Sequence, residues 1–160
     1  MSRTSLVLRL PIAIALAALA SSAGLAASQE LPSKVPALVG TWRVTFDRPP
    51  GPRGTALVTF TSDGTSVRTT DRHAVMSPSH GAWKQVGERE FQATWHAFQL
   101  DDKGNYVGNQ QASFRVVFGT DPNRFTGMAR GTAHAFDGTL RGTVVGPFEG
   151  ARVVVEPYVD

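Results

Sequence analysis

The sequence predicts an all-β protein, a small antiparallel up-and-down β-barrel of eight or nine strands. Apolar and polar side chains alternate with a period of two through most of the chain, which is the mark of half-buried strands. Turn residues recur at short intervals, as hairpins require. Beyond the N-terminal segment no stretch keeps a helical period.

The N-terminal segment reads as a secretory signal. Arg3 and Arg9 precede an almost wholly apolar run over 10–20, small residues fill 21–28, and Ala26-Ala27-Ser28 offers a cleavage site. Pro11, Ser21, Ser22 and Gly24 interrupt the run, which argues against a spanning helix of about 20 apolar residues. The expected organisation is a signal peptide over 1–28, a leader over 29–36 and a barrel domain over 37–160, with delivery to the periplasm or the exterior. No membrane anchor is expected after cleavage, and the oligomeric state is left open.

In the domain, 38–46 reads as the first strand, with Trp42, Val44 and Phe46 on one face. The Pro-rich stretch 49–52 ends it. Strands over 55–61 and 65–71 flank the Ser62-Asp63-Gly64 turn. A loop over 73–80 leads to strands over 81–86 and 90–100, joined at Gly87-Glu88-Arg89. Long strands over 106–118 and 124–136 follow, and Asp137-Gly138 turns into 139–145. A last strand is expected over 152–158. The same signals fit a sandwich, but closing a meander removes its exposed edges.

The run Val39-Gly40-Thr41-Trp42 resembles the Gly-x-Trp signature of lipocalins and other calycins. The resemblance implies that Trp42 plugs one end of the barrel and that Gly40 lets the chain pass beside it. It also implies a late basic residue across the indole, for which Arg141 and Arg152 are candidates. Ser79-His80-Gly81-Ala82-Trp83 and the later Asp-Lys-Gly-Asn turn are similar to small secreted bacterial proteins of lipocalin-like shape. The Thr-Asp-Tyr motif and disulfides of typical lipocalins are missing, as is a C-terminal helix signal.

Composition narrows the chemistry. The chain has no cysteine, which removes disulfides and thiolate reactions. Without its first 28 residues it carries fourteen basic and thirteen acidic side chains, a net +1, and the basic ones are scattered. That is no footprint for nucleic acid. The spacing of His73, His80, His96 and His134 matches no usual metal motif, so no metal is expected. Phosphate loops and a Gly-x-Ser-x-Gly elbow are absent, and no cofactor is expected.

Polar residues inside strands remain. His96 lies mid-strand beside Trp95 and shares a face with Phe98; Arg130 and His134 share a face on a later strand. In one reading Trp95, His96, Phe98, Arg130 and His134 are ligand-binding candidates in a mostly apolar pocket, with His96 turned inward. In the other, the arginines and histidines sit on a wet outer wall. Alternation alone does not say which face is internal. The favoured function is an exported barrel binding a small apolar or amphipathic ligand in its interior, with a small lipophilic molecule as the expected partner. The alternatives are a barrel-type isomerase or cyclase moving a proton with His96 or His134, and a partner-binding or inhibitory module using loops such as 71–81.

Overall fold

The structure is a computed structural model that describes residues 36–48 and 50–158; the expected signal peptide and most of the leader lie outside them. It is a closed barrel of eight antiparallel strands in chain order. They are β1 Gly40–Phe46, β2 Gly54–Phe60, β3 Thr65–Thr70, β4 Ser79–Gly87, β5 Glu90–Leu100, β6 Tyr106–Phe118, β7 Arg124–Ala135 and β8 Leu140–Arg152. The architecture is compatible with the lipocalin and calycin shape.

Two expectations near the C-terminus change. First, β8 runs unbroken through Gly146-Pro147 to Arg152. Pro147 lies one residue before β8 begins to pair with β1 at Phe148. There β8 is still an edge on that side, and an edge tolerates the missing proline donor. Second, 153–158 forms no strand. Its valines suit a strand, but β8 already occupies the free side of β1, so no edge is left for a ninth.

Ladder lengths divide the barrel into unequal halves. Eleven residue pairs join β5 to β6, β6 to β7 and β7 to β8. Only four join β3 to β4, and five join β1 to β8. The long half therefore rises as a curved wall past the short one.

The floor is aromatic. Trp42 is fully buried at 0% exposure. It meets Phe125 and Phe118 at ring-centroid distances of 4.7 and 5.6 Å. Phe118 meets Phe91 at 5.7 Å, and Phe91 meets Trp83 at 5.8 Å. The Trp42 indole N–H donates to the Leu38 carbonyl at 2.9 Å. Arg152 stacks over the indole at 4.2 Å and donates to the Val39 and Ala37 carbonyls at 2.9 and 2.6 Å. Gly40 has φ +131°, and a Cβ there would lie 2.6 Å from Arg152 Nη1. The plug that Gly40 and Trp42 were expected to build is present, with Arg152 rather than Arg141 as its cation.

Candidate functional site

Above this floor the interior side chains shrink. On β7 the alternation turns Ala129 and Gly131 inward; Ala56 on β2, Ala112 on β6 and Gly146 on β8 face the same space. A Cβ added at Gly146 would meet nothing within 4 Å. These absent side chains leave a cavity of about 140 Å³, open at the mouth, with Val44, Phe114 and Phe148 on its walls.

Two polar side chains line it, Arg68 and Gln110, besides Asp47 at the end of β1. The turn between β2 and β3 explains Arg68. Register across Ser62-Asp63-Gly64 pairs Phe60 with Ser66 and Val58 with Arg68. Phe60 and Val58 face the core, so Arg68 must too. Its guanidinium lies 5.3 Å from the Trp95 ring centroid, and Nη2 donates to Met76 Sδ at 3.5 Å. Both contacts are soft and neither brings a charge. Its Nε is buried without a hydrogen-bond partner. Among the described residues no carboxylate pairs with it: Asp47 is taken by Arg53 at 3.3 Å, and Asp71 by Arg48 at 2.6 Å. Burial holds the Arg68 pKa down to about 10, below the usual guanidinium range. Two more acceptors nearby are buried and unsatisfied. Gln110 Oε1 lines the cavity, and Ser79 Oγ belongs to the residue directly opposite Arg68 on β4.

Met76 comes from the loop between β3 and β4. Ser77 N donates to the Phe98 carbonyl and Leu100 N to the Val75 carbonyl, each at 3.0 Å. These bonds fasten the loop to β5 and carry Met76 inward over Arg68.

The ligand-binding candidates from the sequence separate here. Trp95 is inside: its ring lies over Gly81, its N–H donates to Ser66 Oγ at 2.6 Å, and it lines the cavity. His96, Phe98, Arg130 and His134 are on the outer wall. The expectation that His96 faces the interior is therefore corrected. Strand geometry puts neighbours on opposite faces, and Trp95 and Ala97 are the buried pair while His96 is exposed. Phe98, apolar as it is, follows His96 outward at 60% exposure. Arg115 is also outside, with Nη2 donating to both carboxylate oxygens of Glu90 at 2.9 and 3.0 Å.

The histidines nevertheless gather. His80 stands directly opposite His96 across β4 and β5. Both line an outer groove of about 540 Å³ with His134, Asn109 and Gln111. Among the described residues no three histidine, aspartate or glutamate side chains converge as a metal site. Among the described residues no histidine lines the cavity.

Sequence reasoning missed Arg68, Gln110 and Met76. For Arg68 the signal was there: counting back from the Asp-Gly turn places it on the face of Val58 and Phe60. Gln110 and Met76 carry no comparable mark. No protein-family model, curated protein or solved structure matches the chain.

Proposed function

We propose that this protein is an exported binding protein that holds a small apolar or amphipathic molecule inside its barrel. The observation that carries this reading is the cavity of about 140 Å³ above a packed floor, walled by apolar groups and reached from the mouth. Pockets of this kind combine apolar walls with a few placed polar groups. The size suits one ring, since an apolar cavity of about 150 Å³ accepts benzene. Export rests on the N-terminal pattern of Arg3 and Arg9, the apolar run and Ala26-Ala27-Ser28.

Amide and methyl NMR shifts during titration with a neutral ring compound, indole, test the binding reading. Shifts centred on Ala112, Ala129 and Trp95 are expected. Shifts confined to the outer wall, or none, overturn it. Intact mass of the protein recovered from soluble periplasmic or culture fractions tests export. A mass matching cleavage near Ser28 is expected, and the full-length mass in the membrane fraction contradicts it.

A partner-binding reading is favoured by one feature of the outer wall. Phe98, Tyr106 and Phe136 are exposed and form a series with centroid spacings of 5.8 Å. Exposed apolar clusters mark interaction surfaces. Under this reading indole leaves the interior unshifted.

A further inference from the structure

We propose that the cup selects a ring-sized monocarboxylate, with its acid group against the Arg68 guanidinium and its apolar body against Ala112, Ala129 and Phe148. This rests on the reading of the interior as a binding cup and adds the chemical class of the occupant.

The argument begins with an unbalanced charge. A guanidinium cannot shed its proton under ordinary conditions, so Arg68 stays cationic even with burial lowering its pKa. Arg68 is half-buried overall, but its Nε is out of water, and a charge withdrawn from water is destabilising unless it is paired and hydrogen-bonded. The described residues give Arg68 a π face and a thioether but no anion. Its Nε remains unbonded in a cavity wall. An anion arriving from the mouth completes the site.

The number and kind of groups set the ligand class. One guanidinium balances one negative charge, and its planar fork matches the two oxygens of a carboxylate. A phosphate dianion would leave one charge unmatched, with the Asp47 carboxylate also on the cavity lining. Gln110 offers the remaining polar contact. Its unpaired Oε1 accepts from a ligand hydroxyl, and a half-turn of the amide presents NH₂ to a carboxylate oxygen. The remaining walls are apolar, and the cavity of about 140 Å³ limits the enclosed body to one ring or a short branched chain.

The experiment titrates the full chain with three probes of one shape: phenylacetate, phenylacetamide and 2-phenylethanol, followed by NMR and calorimetry. Phenylacetate should bind at least about tenfold more tightly than either neutral probe, as expected for a charge-assisted hydrogen bond. R68M and R68Q should remove that preference and leave 2-phenylethanol binding within about threefold, because the apolar walls are untouched. G146L should abolish binding of all three by filling the open space beside Gly146. Equal binding of acid and neutral probes by the unaltered chain overturns the Arg68 assignment and leaves the cup reading standing. Binding of none overturns both. Phenyl phosphate is titrated as a doubly charged comparison, and tighter binding of it than of phenylacetate overturns the single-charge class. Phenylacetate binding that survives G146L places the acid outside the cup and overturns the proposal. Comparing acid with amide on the unaltered chain needs no variant, so the test holds even if R68M and R68Q fail to fold.

Discussion

Gly150 and Gly146 lie four residues apart on β8 and face the same interior, yet their surroundings are opposite. A Cβ on Gly150 would run into the Phe125 ring, whereas one on Gly146 would meet nothing within 4 Å. At the floor, glycine makes room for an aromatic ring that fills the space completely. At the cup, glycine and alanine make room that no side chain takes. The same small-residue chemistry thus serves packing at one end and vacancy at the other, and only the partner strand decides which.

Variants at the two ends test this contrast, and the largest effect belongs to the floor. Trp42→Ala should lose about 3–5 kcal/mol in chemical denaturation, as large-to-small core changes do. A loss under about 1 kcal/mol would mean that the floor is not a packed core. Gly150→Ala should lose about 1–3 kcal/mol, because the methyl forces Phe125 from its place. Gly146→Ala should instead gain about 0.5–1 kcal/mol, since alanine replaces glycine in a strand without a clash. If both alanines destabilise equally, the contrast fails.

The smallest effect concerns acid. At the floor-end turn, the Thr61 hydroxyl and then the Thr65 backbone N–H and hydroxyl hold the Asp63 carboxyl at about 2 rather than 3.8. The unfolded carboxylate therefore takes up its proton first as pH falls. This contribution is complete above about 3.8 and is lost as pH drops towards about 2. At the mouth end, the Asn105 side chain holds Asp101 low, and the Thr139 backbone N–H does the same for Asp137. Thermal midpoints measured across this acid range should fall less steeply for Asp63→Asn than for the unaltered chain. An unchanged slope would remove Asp63 from the account.

The strands and most turns were legible because alternation and Asp-Gly punctuation are local. The floor was legible through Gly40 and Trp42, whose resemblance to the Gly-x-Trp signature anticipated a cation across the indole. Inside and outside on β5 were not legible. His96 shares its face with Phe98 and Leu100, so that face looks as apolar as the one carrying Trp95 and Ala97. The cavity was hidden for a different reason. It arises from Ala56, Ala112, Ala129, Gly131 and Gly146, which come from four strands. No local window reports a volume that is missing between them. Arg68 fell between these cases, readable from hairpin register but disguised by Val67, which looks like the buried neighbour and is 44% exposed.

The seam between β1 and β8 has a consequence for how the molecule assembles. It joins Trp42 to Arg152 and Phe46 to Phe148, residues more than one hundred positions apart. Hairpins such as β5–β6 and β7–β8 close over short turns and form from local contacts, while distant pairing carries a larger loop-closure entropy and slows folding. The strand synthesised first therefore completes its pairing last. Until then Trp42 lacks Phe118, Phe125 and Arg152, all of which arrive late in the chain. During that interval the nascent protein exposes the Trp42 indole and an unpaired strand edge together, a combination prone to self-association.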